Sequence, residues 1–250
     1  MMIEVKNLSK SFGAQKVLDG LNLVCNKYET TAIIGRSGEG KSVLLKHFIG
    51  LLRPDSGSVM LDGKDITKFS DKDLKKIRAR FGYLFQDSAL FDFFNVYENI
   101  SFPLREHTNF SEVKIREVVT KKLELVGLPN VENKKTYELS GGMRKRVGLA
   151  RAIVLDPEII LYDEPTTGLD PVMTDAIGEL IQKTQKELHV TTILISHDIE
   201  STFKIADKVA LLYDGKIILS GDKEAFKKST DRVVRQFLEG TCHGPMSTTL

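Results

Sequence analysis

Polar and apolar positions alternate in the first part of the chain, which is the period of half-buried strands. Residues 3–5 and 21–25 follow that period, and residues 30–34 form a short, mostly apolar run that leads into a glycine. Such a run followed by glycines predicts a buried strand entering a tight turn. Apolar side chains at helical spacing predict a helix over residues 42–52, and residues 58–61 predict a further strand.

The rest of the chain combines helical and strand-like segments. Helical spacing predicts helices over residues 111–127, with Ser111 as N-cap, and over residues 140–156. The following segments are strands at 159–162, 191–195 and 209–213 and helices at 171–188 and 198–206. This order predicts a mainly parallel sheet with helices on both faces. The segment from about 90 to 155 has no clear strand and predicts a helical insertion.

The composition is that of a chain that folds around a sizeable core. Of the 250 residues, 41% are hydrophobic and 28% are charged, which excludes disordered and collagen-like classes. The 36 Lys and Arg residues against 34 Asp and Glu residues give no general attraction to nucleic acid. Two cysteines, Cys25 and Cys242, exclude a disulfide framework and suit a reducing cytosol.

The same sequence also bears on membrane insertion and on the C-terminal tail. No apolar run approaches the roughly 18–20 residues of a spanning helix, and no secretory signal is visible. If the protein works at a membrane, we expect another chain to cross it. We expect one domain over residues 1–239 and a polar, breaker-rich tail over residues 240–250 that is mobile unless a partner holds it.

The strongest chemical motif lies between the predicted strand at 30–34 and the helix after it. Eight consecutive residues match G-x-x-x-x-G-K-[ST] at each fixed position: Gly35, Arg36, Ser37, Gly38, Glu39, Gly40, Lys41 and Ser42. Glycines let backbone N–H groups face phosphate oxygens, and the helix N-terminus adds positive potential. The pattern assigns Lys41 to the β- and γ-phosphates and the Ser42 hydroxyl to Mg²⁺. An ordinary glycine-rich turn does not account for all the matched positions.

Two carboxylates follow the predicted strand at 159–162. An apolar strand that ends in Asp163 and Glu164 presents both groups at its C-terminal edge, where open α/β sheets bind ligands. Downstream of a phosphate loop, Asp163 is assigned to the Mg²⁺ shell and Glu164 to orienting or deprotonating the attacking water. Taken alone, the same residues are a solvated strand end.

A serine and two glycines stand at the start of the predicted helix 140–156. The N–H groups of Ser140, Gly141 and Gly142 form a second candidate anion site, although a generic loop has the same composition. Together with the phosphate loop and the two carboxylates, this motif resembles the signature of ATP-binding cassette (ABC) ATPases. The resemblance covers nearly the whole chain. It implies an α/β fold, the P-loop NTPase ABC cassette, with a RecA-like parallel-sheet core, an antiparallel β subdomain and the helical insertion.

The resemblance also assigns roles that spacing alone does not. It matches Gln86 to the glutamine that contacts Mg²⁺ and senses the transporter subunit, and His197 to the histidine that contacts the γ-phosphate. Asp170 matches the loop that crosses the dimer interface, while Asp170-Pro171 also predicts the N-cap and first residue of a helix. Phe12 matches the aromatic residue that stacks on adenine, and its alternative is a core or edge aromatic.

In ABC ATPases the signature loop acts in trans. The N–H groups and serine of one subunit close over ATP bound to the phosphate loop of the other. A chain with one set of motifs therefore implies a homodimer with two sites for ATP and Mg²⁺. ATP closes the dimer and hydrolysis loosens it, which is a population shift set by the γ-phosphate.

Three features narrow the resemblance to the Mla/Mce-type lipid-transport ATPases. Met143-Arg144-Lys145-Arg146 stands where many importer ATPases carry glutamines, and a solvated helix face is the alternative for these basic residues. Val43, after the phosphate loop, replaces a common second hydroxyl residue but keeps its backbone donor. Residues 235–240 with Gly244-Pro245 resemble the C-terminal stretch of the group.

This narrower resemblance implies a function and a set of partners. It implies an ATPase that powers phospholipid transport from the cytoplasmic face of the inner membrane, as a peripheral protein. The implied partners are an integral membrane permease, a periplasmic lipid-binding MCE-type subunit and a small regulatory subunit, with no nucleic acid. Two alternatives stay open: the ATPase of an ABC importer for another small substrate, and a soluble ABC ATPase such as an iron–sulfur assembly factor.

Phenylalanine is concentrated in one segment. Six of the 13 phenylalanines are Phe81, Phe85, Phe91, Phe93, Phe94 and Phe102. This cluster has two explanations: an apolar groove for a coupling helix from a membrane subunit, or packing of the helical insertion into the core.

Overall fold

Residues 2–246 are described by the computed structural model. Their contacts divide the chain into two compact units. Unit 1 is formed by Met1–Lys75 and Ile193–Leu250, and unit 2 by Lys76–Thr192. The boundaries fall inside one helix and inside one strand.

Strands and helices alternate along most of the described chain. The strands are β1 (Ile3–Phe12), β2 (Gln15–Cys25), β3 (Thr30–Ile34), β4 (Ser56–Leu61), β5 (Lys64–Asp65), β6 (Phe81–Leu84), β7 (Ile159–Asp163), β8 (Thr191–Ser196), β9 (Lys208–Tyr213) and β10 (Lys216–Gly221). The helices are α1 (Lys41–Phe48), α2 (Asp71–Arg78), α3 (Val96–His107), α4 (Glu112–Leu125), α5 (Gly141–Ala152), α6 (Pro171–Leu188), α7 (Ile199–Ile205), α8 (Lys223–Lys228) and α9 (Arg232–Glu239). Single 3-10 turns cover Ile66–Lys68 and Thr136–Glu138.

Unit 1 contains an antiparallel sheet with the strand order β2-β1-β4-β5. Ile3 of β1 lies opposite Cys25 of β2 and opposite Leu61 of β4, and all three side chains are buried. Polar side chains alternate with these buried ones along the strands. This burial explains the alternating pattern at the start of the chain.

A second set of strands in unit 1 has the order β10-β9-β3-β8. β3 and β9 are parallel, with Ile33 opposite Ala210, whereas β10 is antiparallel to β9. All five residues of β3 are buried. A strand covered on both faces reads as a continuous apolar run, which is the pattern of residues 30–34.

Unit 2 combines the parallel pair β6 and β7 with helices α3, α4, α5 and α6. Leu84 lies opposite Tyr162, so β7 reaches its last residue, Asp163, beside the end of β6. α3 begins with a capping box in which Asn95 and Glu98 each accept the other's backbone N–H.

The predicted fold class is confirmed, with differences at element ends. Both parallel pairs and the antiparallel sheet are present, and only helices and a 3-10 turn lie between β6 and β7 in the described chain. The Ser111 hydroxyl caps α4 as predicted. α5 ends at Ala152, earlier than predicted. The prediction extends further because the apolar run continues through Ile153 and Val154, but these residues are buried outside the helix.

The C-terminal segment is packed as far as Met246. The Gln236 amide nitrogen donates to the carbonyl oxygens of Thr241 (3.2 Å) and Met246 (3.3 Å), and its oxygen accepts from the Met246 N–H (2.7 Å). The Tyr213 hydroxyl donates to the Pro245 carbonyl over 3.0 Å. Residues 241–246 thus have partners in their own chain, and residues 247–250 of the predicted tail lie outside the described residues.

None of the helices within residues 2–246 combines the length and the apolar character needed to cross a membrane.

Candidate functional site

The predicted phosphate loop lies in unit 1, between β3 and α1. Gly40 is the N-cap of α1 with φ of 91°, and no side chain caps this helix. A Cβ at Gly40 would lie 2.6 Å from Cγ1 of Val17, so contact and backbone angle both require glycine here. A helix start without a side-chain cap is typical of an anion-binding N-terminus.

Lys41 is the buried cation of this loop. Its side chain is 5% exposed, and its ammonium donates to the carbonyl oxygens of Gly35 (2.9 Å) and Arg36 (2.8 Å). The Glu39 carboxylate accepts from the Asp214 N–H over 2.8 Å and ties the loop to the turn after β9. The loop is therefore held as a compact turn around one positive charge.

The remaining members of the predicted loop are accessible. Ser37 and Gly38 are exposed, and Ser42 and Val43 are partly exposed at the first turn of α1. Phe12 ends β1 with 47% of its surface exposed, so it is not a core aromatic. The geometry leaves these groups open to a ligand.

His197 lies in a pocket that the sequence did not predict. It follows β8, is exposed, and lines a pocket of about 310 Å³ in unit 1 together with Arg36 of the phosphate loop. The opposite lining comes from the C-terminal segment, including Phe237 and Met246. The polar composition of the tail carries no signal for this packing, because it depends on the buried amide of Gln236.

Asp163 ends β7 in unit 2 and Glu164 follows it, at the predicted strand end, but their surroundings differ. Asp163 is 8% exposed, and its Oδ2 accepts from the Tyr83 hydroxyl over 3.0 Å. Glu164 has φ of 49°, which is uncommon for a residue other than glycine and turns the chain out of the strand. Its Oε2 accepts from the Thr167 hydroxyl over 2.8 Å, so each carboxylate has its own hydroxyl donor.

Lys145 of α5 lies among the predicted site residues of unit 2. It is 7% exposed, and its ammonium donates to the Gln86 carbonyl oxygen. Burial lowers the pKa of Lys145, and the charges of Asp87, Glu164 and Asp163 oppose that shift. The Gln86 carbonyl thus contacts this buried cation directly, and the carboxylates of Asp163 and Glu164 lie near enough to act on its pKa.

A solvated helix face is therefore wrong for Lys145, although Arg144 beside it is exposed. The signal that finds Lys145 is its helical spacing to Gly142, Gly148 and Leu149, which are all buried.

The signature motif and the Asp170 loop adjoin in unit 2. The Ser140 hydroxyl is exposed and accepts from the Met143 N–H over 3.3 Å as the N-cap of α5. A Cβ at Gly141 would lie 3.6 Å from Cδ2 of Leu169, the residue before Asp170. Asp170 accepts from the Met173 N–H over 3.0 Å, which confirms the predicted cap of α6.

The phenylalanine cluster lines a surface groove in unit 2. None of its six rings is buried, so packing into the core is wrong for this cluster. Phe81, Phe85, Phe91 and Phe102 line a groove of about 420 Å³ together with Arg151. An exposed aromatic groove of this kind is typical of a protein-binding surface.

The chain is similar to proteins of known family over almost its full length. The family model described as "ABC transporter" matches residues 18–167. The "Probable ribonucleotide transport ATP-binding protein mkl" of Mycobacterium leprae is 47% identical, over 98% of this chain and 70% of that protein. The "Intermembrane phospholipid transport system ATP-binding protein MlaF" of Haemophilus influenzae is 44% identical, over 98% of this chain and 93% of that protein.

Solved structures show the same fold. The cbiO1 protein of Clostridium perfringens, part of the ABC transporter complex cbiONQ, superposes with a TM-score of 0.84 at 36% identity, over 91% of both chains. The dimeric ATP-binding cassette MJ0796 in a post-hydrolysis state with ADP and Pi superposes with a TM-score of 0.81 at 30% identity, over 88% of this chain and 98% of that one. Because the family model, the relatives and the folds agree, the chain belongs to the ABC transporter ATP-binding proteins and is a nucleotide-binding ATPase of that family.

Proposed function

We propose that this chain is the ATP-hydrolysing subunit that powers a phospholipid-transporting ABC complex. The similarity to MlaF of Haemophilus influenzae carries the proposal, since it extends over 98% of this chain and 93% of that protein. A match over both lengths supports a shared transport system better than a match over the nucleotide-binding core alone. The run Met143-Arg144-Lys145-Arg146 supports the same assignment.

Unit 1 binds the nucleotide in this proposal. Residues 35–43 hold the phosphates through backbone N–H groups, and Lys41 neutralises the β- and γ-phosphates. Phe12 stacks on adenine, which its exposure at the end of β1 supports. His197 contacts the γ-phosphate, and its shared pocket with Arg36 of the phosphate loop supports this role.

Unit 2 supplies the hydrolytic and dimer-facing groups. Glu164 orients or deprotonates the attacking water, and the hydrogen bond from Thr167 fixes its carboxylate. Ser140, Gly141 and Gly142 close over the nucleotide of a second copy, with Asp170 in the same interface. The dimeric state of the solved cassette supports a homodimer with two ATP sites.

The donor set fits Mg²⁺ as the accompanying ion. Ser42, Gln86 and Asp163 offer a hydroxyl, an amide oxygen and one carboxylate, and Mg²⁺ prefers such oxygen ligands alongside phosphates and waters. The described residues contain no group of three or more His, Cys, Asp and Glu side chains that would hold a metal by themselves. When bound, Mg²⁺ offsets the charge that develops on the phosphates.

The aromatic groove of unit 2 is the docking site for a permease in this proposal. A coupling helix with apolar side chains would bury the rings of Phe85, Phe91 and Phe102, which are 42%, 36% and 38% exposed. The protein then acts peripherally at the cytoplasmic face of the inner membrane. A periplasmic lipid-binding subunit and a small regulatory subunit complete the complex.

Lipid dependence tests the function directly. The chain is co-purified with the permease encoded beside its gene, and ATPase activity is measured with and without phospholipid vesicles. We expect phospholipid to copurify with the complex and to change the ATPase rate. A complex without bound lipid and without a lipid-dependent rate would contradict the proposal.

Ribonucleotide transport is the second candidate, because the mkl relative at 47% identity carries that description. Vesicles that contain the same complex and accumulate labelled ribonucleotide upon ATP addition, without moving lipid, would favour it. Recovery of soluble scaffold proteins without any permease would favour an assembly factor instead.

A further inference from the structure

Two cationic side chains of α5 donate hydrogen bonds to the loop that follows β6. The buried ammonium of Lys145 donates to the carbonyl oxygen of Gln86. Arg151, near the other end of the helix, donates to the carbonyl oxygens of Ser88 (2.7 Å) and Ala89 (2.8 Å). Its guanidinium also lies 5.7 Å from the centroid of the Phe91 ring. The loop 86–91 is therefore bonded to α5 through three backbone carbonyl groups and contacts it through one aromatic ring.

The loop adopts a backbone conformation that needs such support. Ser88 and Ala89 have φ of 61° and 45°, in the left-handed region that residues with a Cβ rarely adopt. Both of their carbonyl oxygens accept from Arg151, so the same guanidinium holds both unusual residues. A conformation of this kind persists where its surroundings determine it.

α5 packs closely against the loop at Gly148. A Cβ at Gly148, between the two cations, would lie 2.8 Å from Cδ1 of Leu84 and 3.0 Å from Cβ of Ser88. Ser88 is 1% exposed. This close packing and the hydrogen bonds from Lys145 and Arg151 favour movement of the helix and the loop together.

The two ends of this contact serve different nucleotide sites under the proposed function. Gln86 faces the nucleotide of its own subunit, whereas Ser140 and the glycines at the start of α5 face the nucleotide of the partner subunit. α5 is a single continuous helix from Gly141 to Ala152. A displacement of the loop is thus carried to the signature motif by a rigid element.

A buried lysine is a poor choice for stability alone. Desolvation disfavours its charge, and the charges of Asp87, Glu164 and Asp163 oppose that effect without reversing it. An apolar side chain of similar length would fill the same space without the desolvation penalty. Its hydrogen bond selects one backbone oxygen, that of Gln86, which an apolar side chain does not. The chemistry therefore favours placement of the loop over general stabilisation.

We propose, resting on the function proposed above, that Lys145 and Arg151 are positioning residues that lock loop 86–91 to α5. The lock makes the nucleotide-facing Gln86 and the partner-facing signature motif shift as one body, which couples the two ATP sites of the dimer.

The first test measures the loop without nucleotide. The chain has no tryptophan, so Phe93→Trp, in the same segment and 73% exposed, gives a single tryptophan whose emission can be excited selectively. In that background Lys145→Met and Arg151→Met are expected to raise the acrylamide quenching constant about twofold, because the loop is released. Lys122→Met is the matched control: Lys122 is another buried lysine of unit 2, at 9%, and its partner Asp156 keeps 75% side-chain exposure.

The second test measures ATP hydrolysis by the full-length chain. We expect Lys145→Met to lower kcat about tenfold, to leave KM for ATP within about twofold, and to bring the Hill coefficient towards one. Lys145→Arg, which keeps a buried donor, is expected to restore kcat to within about threefold of the parent. Lys122→Met is expected to match the parent in all three quantities.

The outcomes separate the inference from the proposed function. Equal quenching and equal kinetics in Lys145→Met and the parent would overturn the lock, as would equal losses in Lys145→Met and Lys122→Met. A loss that Lys145→Arg does not restore overturns it as well. If the parent chain itself hydrolyses no ATP, the proposed function fails, and the quenching comparison still decides whether the two cations hold the loop.

Discussion

The Tyr83 hydroxyl donates a hydrogen bond to Oδ2 of Asp163 over 3.0 Å, between the neighbouring parallel strands β6 and β7. Burial and the negative charge of Asp163 raise the pKa of Tyr83, so the phenol stays protonated and remains a donor. The bond fixes one oxygen of the carboxylate that we assign to the Mg²⁺ shell.

Tyr83→Phe is expected to impair metal use rather than folding. The ring remains and still stacks on Phe85, whose centroid lies 4.2 Å away, but Asp163 loses its hydroxyl donor. We expect a several-fold rise in the Mg²⁺ concentration for half-maximal ATPase activity and a loss of about 1 kcal/mol in unfolding free energy. Tyr97→Phe, which loses a bond to Glu112 outside the site, is the control. An unchanged Mg²⁺ requirement in Tyr83→Phe would argue against the role of this bond.

Glu164→Gln is expected to permit ATP binding and to block turnover. The amide keeps the shape and still accepts from Thr167, but it is a far weaker base. We expect the hydrolysis rate to fall by about a hundredfold or more, with accumulation of an ATP-bound dimer. Size measurement by light scattering with ATP checks this, with the exposed Glu179→Gln on α6 as control. Rapid hydrolysis by Glu164→Gln would remove Glu164 from the base role.

Mixed dimers test whether the signature acts in trans. Lys41→Ala removes the loop cation and is expected to weaken ATP binding itself, whereas Ser140→Asp keeps an N-cap of α5 but places a negative charge at the anion site. With the two changes on different chains, one complete site remains, and we expect about half of the parental nucleotide trapping. With both changes on one chain of the dimer, each site carries a lesion and trapping should be lost. The opposite pattern would indicate a signature that acts in cis.

Protonation of the buried His47 is expected to lower the stability of the fold at mildly acidic pH. It is 1% exposed on α1, with Nδ1 2.8 Å from the Val43 carbonyl oxygen, and burial lowers its pKa below the usual 6.5. The nearby charges of Lys10 and Asp55 act in opposite directions on that pKa. The unfolded chain binds the proton on His47 more tightly than the folded chain does. The free energy of unfolding therefore keeps its full value above pH 6.5, and it decreases as the pH drops from 6.5 towards the lower pKa of His47 in the folded state.

Urea unfolding at pH 7.5 and at pH 5.5 measures this slope, conditions that bracket an ordinary histidine pKa of about 6.5. His47→Leu should flatten it, whereas the exposed His107→Gln should leave it unchanged. An equal slope in the parent and His47→Leu would assign the pH dependence to other groups.

Gln236 is expected to hold the C-terminal segment. Gln236→Leu removes three hydrogen bonds to residues 241 and 246 and should lower the unfolding free energy by about 1–3 kcal/mol. Limited proteolysis within 240–246 should become faster. Glu239→Gln, which removes only an exposed ion pair with Arg235, should cost less than about 1 kcal/mol. Equal protease resistance in Gln236→Leu and the parent would show that the segment is held by other contacts.

Local rules account for what was predictable in the fold. β3 is a mostly apolar run because all of its residues are buried, and α6 starts at Asp170-Pro171 because the Asp side chain caps the helix and Pro suits its first position. Spacing allows two explanations for the aromatic groove, because it does not reveal which rings remain exposed. Helix periodicity extends α5 too far, because Ile153 and Val154 are buried by tertiary packing outside the helix.

Local sequence predicts the candidate chemistry of this protein, because the residues of each motif are contiguous: a phosphate loop at 35–42, carboxylates at Asp163 and Glu164, and a signature motif at Ser140. Tertiary structure decided which distant residues support them. Tyr83 meets Asp163 because β6 and β7 are paired, and Lys145 meets Gln86 because α5 packs on the loop after β6. Met246 lines the His197 pocket with the support of hydrogen bonds to Gln236 and of the neighbouring bond from Tyr213 to Pro245. Such contacts join residues far apart in the chain, and no local pattern encodes them.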